Sequence, residues 1–517
     1  MPQPDRSPFI HAHQPLPIDN PLMTSMPTRN LYTRAQMRRI DGAAGAALGL
    51  DGPTLMQRAA QAAFEVLCRR WPQALRIAVC CGTGKNGGDG YLLAKRARQA
   101  GRDVSVIALA PPQDPDAQAA ADAWRTAGGF ILPYAGEHSL PPADVYVDAL
   151  FGIGLDRPLQ GAAAQLVEVL NASGSPVFAL DIPSGLSADT GAALSTCVQA
   201  AATVSFIGWK RGQHTGAGLD ACGDCELARL DLPPTIFDDE PAGACLLDWD
   251  TLRHSLPPRR RNVHKGLFGH VLAVGGDLGM GGAIRLAGEA ALRSGAGLVS
   301  VATQPENLTP LLAARPELMV SAVAGAQELD GPLEKATTIA LGPGLGQRSW
   351  GHALWHRALA SGKPAVLDAD ALNLLARHPR RLAASVVLTP HPAEAARLLE
   401  SDTTSVQANR YAAAQAIAER YHAVVVLKGA GTLIAAPGSS IAVCPWGNPA
   451  MASGGMGDVL TGITAALLAQ GLNAWDAACL AVAVHARAGD MATRDGAGLL
   501  ASDLFAPLRR LLGGDRG

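Results

Sequence analysis

From Leu75 onward the chain alternates between two kinds of segment. Short runs rich in β-branched residues, "LRIAVCCG", "DVSVIALA", "ADVYVDALFG", "PVFALDIPSG" and "AATVSFIG", are separated in several places by Ala- and Leu-rich stretches. Apolar runs of four to eight residues without polar alternation fit strands buried on both faces, as in a parallel sheet covered by crossover helices. Around "LDLPPTIFDDEPAG" and "LPPRRRNVHKG" Pro and charge take over, and the alternation then resumes with "HVLAVGG", "GLVSVAT", "TTIALGPG", "PAVLDADAL", "ASVVLTPHP" and "AVVVLKGAG". The pattern predicts a tail up to about residue 30 and two α/β units joined near residues 232–262. No internal repeat relates the two. In open parallel sheets the ligand sits beyond the carboxyl ends of the strands. Each run here ends in Gly or polar residues, so chemistry is expected at those tails.

Composition removes several classes of function. With 48% hydrophobic and 17% charged residues and a formal net charge of -2, the 517-residue chain has neither a disordered composition nor a polyanion-binding surface, so nucleic acid is excluded as a partner. The richest apolar run, Val459 to Ala486, is interrupted by Gln470, Asn473 and Asp476 and reads as two helices, not a membrane span. Nine cysteines without regular spacing suit a reducing cytoplasm better than a disulfide framework. Cys222 and Cys225 have zinc-knuckle spacing, but no second pair follows, so they read as free thiols. The stretch up to about Asn30 is Pro-rich and polar, unlike a signal peptide or a folded piece, and points to Met23 or Met26 as the start.

In the first unit the strand "RIAVCCG" is followed by "TGKNGGDGYLLAKRA", Thr83 to Ala97, a Gly-rich turn entering a helix. This is a phosphate cradle in kind, but neither a P-loop nor a clean GxGxxG. Asn86 and Asp89 lie in the turn, Asp148 closes another strand, and Asp181 and Ser184 follow a third. Asp at a strand end often only caps the next turn. Together "NGGDG", "VDALFGIGL" and "DIPSGL" resemble the epimerase domain of NAD(P)H-hydrate repair enzymes. The resemblance implies a potassium ion held by Asn86, Asp148 and Ser184, with Asp148 essential to the reaction. It implies hydrate contacts from Lys85, Asn86, Gly87, Gly88 and Asp89, from Gly152, Ile153, Gly154, Leu155, Asp156, Arg157 and Pro158, and from Asp181. Lys85 departs from the family, which usually has Asn there.

In the second unit "GGDLGMGG", "LGPGLG", "LDADALNLL", "LTPHPAEAARLL", "VVLKGAGTLIA" and "GGMGDVLTG" occur in that order. They resemble ribokinase-like proteins and, more narrowly, ADP- or ATP-dependent NAD(P)H-hydrate dehydratases. Asp458, after "GGMG" at the mouth of an apolar helix, has two readings: a helix cap, or a base beside amide donors that stabilise a transferring phosphoryl group. The resemblance implies the base. It assigns Lys428, Gly429, Ala430, Gly431, Thr432 and Gly457 to the adenine nucleotide, and Ala283, Gly344, His391 and Asp458 to the hydrate. His391, between two prolines at a strand end, has a purely structural role as its alternative.

The resemblance thus implies, after a tail over 1–30, a Rossmann-like parallel-sheet domain over residues 31–231, a linker over 232–244 and a ribokinase-like α/β domain over 245–517. The first would interconvert the R and S hydrates of NADH and NADPH. The second would dehydrate the S form with magnesium and ADP, giving AMP and phosphate. The residues themselves do not separate ADP from ATP, and a homo-oligomer is implied by the family alone. Two other readings compete: a small-molecule kinase with a fused regulatory domain, and a dinucleotide-binding scaffold without catalysis. With every dehydratase motif beyond the linker, a fragment from about Ala242 is expected to dehydrate the S hydrate alone.

Overall fold

The computed structural model describes residues 29–136, 139–256, 259–493 and 498–513, apart from the side chains of 46–48. The predicted tail falls outside the described residues up to position 28, and at its end Asn30–Tyr32 is already a strand.

The first sheet has seven strands, all parallel, in the spatial order Ile131–Pro133, Asp103–Ala108, Arg76–Cys81, Val145–Ala149, Val177–Leu180, Ala202–Phe206 and Asp224–Ala228. Side chains of Ile77, Val79 and Cys81 enter one apolar cluster and those of Ala78 and Cys80 another. Both faces of the strand are therefore buried, which is why its sequence does not alternate with polar residues. Strand order reverses between Arg76–Cys81 and Val145–Ala149, and this reversal opens a crevice at their carboxyl ends.

The second sheet has twelve strands. Seven run parallel in the order Met319–Ala322, Leu298–Thr303, His270–Val274, Thr338–Leu341, Ala365–Leu367, Val386–Leu388 and Val424–Leu427. Its reversal lies between His270–Val274 and Thr338–Leu341. Leu433–Ala435 and Ile441–Val443 continue it antiparallel. The last three strands are Ala244–Leu246, Asn30–Tyr32 and Trp209–Lys210, two of which come from the first unit. The predicted linker is therefore not a slack tether. Pro234–Phe237 forms a 3-10 turn, and Phe237 stacks on Tyr32 with centroids 5.3 Å apart.

The apolar run from Val459 forms two helices, Met456–Ala469 and Ala474–Ala492. Small residues let the first lie close against helix Gly281–Arg293: a Cβ on Gly462 would stand 2.1 Å from the Ala287 carbonyl oxygen. Among the described residues no helix is long and apolar enough to cross a membrane.

Candidate active sites

The first crevice is a cleft of about 1270 Å³, lined among others by Lys85, Asn86, Asp89, the loop from Gly152 to Pro158, and Asp181. Gly87 and Gly88 lie beneath it as packing positions. A Cβ would come within 2.2 Å of the Gly82 carbonyl at Gly87 and 2.5 Å of the Met56 sulfur at Gly88. Helix Lys85–Gln99 starts at Gly84 without a side-chain cap, so its first amides are free of side-chain acceptors.

Below the cleft Asp148 is fully buried and Ser184 is 1% exposed. The Ser184 amide and hydroxyl donate to the Asp148 carboxylate at 2.8 and 2.7 Å, and the Leu150 amide adds a third bond at 3.2 Å. Ser184 Oγ also lies 3.2 Å from the Phe151 carbonyl oxygen and accepts from the Phe151 amide at 2.9 Å. Burial pushes the Asp148 carboxyl up to about 6 against these donors. Asn86 is buried, yet among the described residues neither its Oδ1 nor its Nδ2 has a hydrogen-bond partner. Such an orphan is costly unless a ligand completes it. One carboxylate with acceptor capacity left, one hydroxyl and one amide oxygen form a hard donor set of low charge, which fits a monovalent cation.

Two residues of this cleft carry no motif. Lys210 is 1% exposed and donates to Asp181, to Ser205 Oγ at 3.0 Å and to the Phe206 carbonyl at 2.9 Å. All three of its protons are thus engaged, and it fixes Asp181. Asp181 has φ of 66°, a left-handed conformation held by this ion pair and by Gln213, whose amide donates to the Asp181 carbonyl at 2.9 Å. Asp41, from helix Arg34–Leu48, also lines the cleft. Burial and the Asp181 charge raise it to about 6. Neither residue has a sequence signal, because each is brought in by tertiary packing alone.

In the second sheet the candidate residues gather at successive strand ends. A Cβ on Gly344 would lie 3.5 Å from that of Ala283, which joins the two sides of the reversal. Asp368 follows strand Ala365–Leu367, and Lys428 follows Val424–Leu427. Lys428 Nζ donates to Asp368 Oδ1 at 2.8 Å and lies 3.8 Å from Glu394 Oε2. The hydroxyls of Thr389 and Thr461 each donate to Asp368 at 2.9 Å. Burial opposes the charge on Asp368, but Lys428 and these hydroxyls hold its carboxyl below the usual range. A Cβ on Gly457 would stand 3.2 Å from Lys428 Nζ, so glycine there leaves the ammonium accessible.

Asp458 occupies the first turn of helix Met456–Ala469, which is capped by Gly455 with φ of 90° and carries no side-chain cap bond. The capping reading is therefore set aside. Among the described residues no hydrogen-bond donor reaches Asp458. Burial, then the Asp368 charge, push it up to about 7, with Lys428 opposing. His391 does cap a helix: its Nδ1 accepts from the Ala393 and Glu394 amides at 3.1 and 3.4 Å. Burial, then the cations Lys428 and Arg397, lower the ring's pKa, and because Nδ1 accepts, the ring proton belongs on Nε2, 3.4 Å from Glu394 Oε1. In the loop Lys428–Thr432, Gly429 and Ala430 are exposed and the Thr432 hydroxyl donates to the Gly429 carbonyl at 2.9 Å. Asp368 and Glu394 lie inside motifs quoted above but were given no role there. The strand-end rule that picked Asp148 also points to Asp368.

A chain with two mainly parallel α/β sheets, each bringing buried carboxylates to its strand ends, has the layout of a two-site enzyme. The profile of the YjeF-related protein N-terminus matches residues 52–212, and that of NAD(P)H-hydrate dehydratase matches 271–510. The bifunctional NAD(P)H-hydrate repair enzyme Nnr of Coxiella burnetii is 44% identical over 93% of this chain and 99% of its own length. That of Escherichia coli K12 is 43% identical over 92% of each. A Bacillus subtilis ADP/ATP-dependent NAD(P)H-hydrate dehydratase, co-crystallised with ATP and Mg2+, is 33% identical over 52% of this chain and 96% of that one, with a TM-score of 0.48. The chain belongs to the bifunctional NAD(P)H-hydrate repair enzymes.

Proposed function

We propose that residues 31–231 epimerise the R and S hydrates of NADH and NADPH, and that residues 245–517 dehydrate the S form at the expense of ADP. The observation that carries the reading is Asp458: an acid raised to about 7 with no hydrogen-bond donor among the described residues, beside amides without a side-chain cap and a partly exposed lysine. Hydroxide is a poor leaving group. The substrate's ring hydroxyl attacks the terminal phosphorus of ADP while Asp458 takes its proton, and AMP departs. Lys428 and the first-turn amides of helix Met456–Ala469 stabilise the charge on the transferring group. The ring nitrogen's lone pair then expels phosphate, and the neighbouring carbon loses a proton to restore the dihydronicotinamide. Balanced, hydrate and ADP give NAD(P)H, AMP and phosphate, with no redox change. His391, with its proton on Nε2, is suited to donate to the hydrate, and Ala283 and Gly344, whose Cβ positions lie 3.5 Å apart, would contact it.

Among the described residues no group of three or more His, Cys, Asp or Glu side chains forms a metal cage. Magnesium would therefore arrive on the nucleotide phosphates, its usual mode, and neutralise charge between them. In the first cleft Asn86, Asp148 and Ser184 would hold potassium, which supplies a fixed positive charge near the reacting ring. Asp181, held by Lys210, would orient the hydrate, and the amides after Gly84 suit its phosphates. The nine free thiols favour a reducing cytoplasm, and the homo-oligomer stands on the family resemblance.

The test is to supply pure S hydrate with ADP, ATP or no nucleotide and follow reduced-nicotinamide absorbance. Recovery with ADP is expected. No recovery with either nucleotide overturns the dehydratase reading.

A further inference from the structure

The loop Lys428–Thr432 belongs to the second unit but rests on the first. Thr215 is fully buried, and its hydroxyl lies 3.0 Å from the Gly431 carbonyl oxygen and 3.2 Å from that of Ala430, sharing its one proton between them. The Gly216 amide donates to the Ala430 carbonyl at 3.1 Å. A Cβ on Gly431, where φ is 62°, would stand 2.1 Å from the His214 carbonyl oxygen, so the loop lies directly on this turn.

Arg410 completes the support. It is 1% exposed, and its Nε donates to Thr215 Oγ1 at 3.0 Å. Its Nη2 donates to the Leu427 and Lys428 carbonyls, each at 3.3 Å, and its Nη1 to Gln407 Oε1 at 2.9 Å. No carboxylate is among these partners, and burial pulls its pKa down to about 10. A buried cation without a counter-charge is expensive. It lies just behind the loop, since a Cβ on Gly429 would be 3.0 Å from Nη1.

We propose that Thr215, acting with Arg410, is a positioning residue for the dehydratase, so that the first unit completes the nucleotide site of the second. In a trans peptide the C=O of one residue and the N–H of the next point in opposite directions. Turning the carbonyls of Lys428, Ala430 and Gly431 toward Arg410 and Thr215 directs the amides of Gly429, Gly431 and Thr432 to the open side. Outward amides with a cation behind them favour a nucleotide's phosphates. The inference rests on reading this loop as the nucleotide site. It also revises the expectation that a fragment from Ala242 suffices, because that fragment lacks Thr215.

The test uses the full chain with S hydrate and magnesium-ADP, comparing wild type, Thr215→Val and Thr215→Ser. Thr215→Val should raise KM for ADP about tenfold, more than it lowers kcat, and Thr215→Ser should recover to within about twofold of wild type. A folded Thr215→Val with the wild-type KM, or a Thr215→Ser as impaired as Val, overturns the proposal. Should Thr215→Val not fold, hydrogen exchange on wild type decides. ADP should slow exchange of the loop amides and of Gly216 together, and protection of the loop with Gly216 unchanged overturns it. A wild type that neither binds nor uses ADP or ATP overturns the dehydratase reading itself, a result distinct from a failed Thr215 effect.

Discussion

Asp148 closes a strand in the first unit and Asp458 opens a helix in the second. Burial raises both carboxyls, to about 6 and about 7. Their surroundings differ in one respect that decides their work. Asp148 accepts three hydrogen bonds from Ser184 and Leu150, so its orientation is fixed and it can share charge with a neighbour only as a ligand or anchor. Asp458 accepts none among the described residues and faces the Lys428–Asp368 pair, so its lone pairs remain open to a substrate proton. A raised pKa does not by itself distinguish a base from an anchor. The count of donors already engaged does.

The largest expected effect breaks this comparison on the Asp458 side. Asp458→Asn keeps the shape and deletes the base, so S-hydrate turnover should fall about a thousandfold with ADP affinity retained. Near-normal turnover in a single-turnover absorbance assay would return Asp458 to a structural role. On the other side, Asp148→Ala should cut R-hydrate consumption at least about a hundredfold while dehydration of pure S hydrate continues, because the two sites lie in different crevices. The measurement is R-hydrate loss with excess functional dehydratase present, and a wild-type rate would remove Asp148 from the site.

Lys210 sharpens the contrast, because all three of its donors are engaged while Asp148 keeps acceptor capacity for a cation. Lys210→Met strands Asp181, whose side chain is 13% exposed, and should destabilise the protein by about 3 kcal/mol in urea unfolding. The pH profile gives a smaller, graded effect. With Asp458 raised to about 7, kcat for dehydration should fall roughly tenfold for each pH unit below that value and level off above it. A profile flat from about pH 5 to 8 would mean that Asp458 does not act as the base.

The smallest effect is on stability. A carboxyl whose pKa is higher folded than unfolded binds more protons in the folded state. Its contribution is full below about pH 4 and is lost as pH rises through about 7. Asp458→Asn escapes that loss and should be more stable than wild type at about pH 8, on the order of 1 kcal/mol, but not at about pH 4.

What was legible from sequence follows chain-local physics. Asp148, Ser184, Lys428 and Asp458 stand where strands end or helices begin, so the parallel alternation was enough to bring them to two crevices. Both sheets follow the same pattern, with Val271 and Ala273 facing one cluster and Leu272 and Val274 the other. Asn30–Tyr32 and Trp209–Lys210 are too short to show any periodicity, so their place in the second sheet could not be read. Thr215 and Arg410 meet only in the folded chain, 195 positions apart, and neither sits in a motif. The cap of helix Met456–Ala469 was not legible: the sequence offered Asp458 as cap or base, and Gly455 takes the cap because the backbone turns there with φ of 90°.

The central claim is that one chain carries both halves of hydrate repair. Its most direct test is to give wild type an equilibrated mixture of R and S hydrates with magnesium-ADP and follow reduced-nicotinamide absorbance to its end. Full recovery is expected, faster than spontaneous epimerisation allows. A trace that stops at the S fraction and then creeps at the spontaneous rate would contradict it.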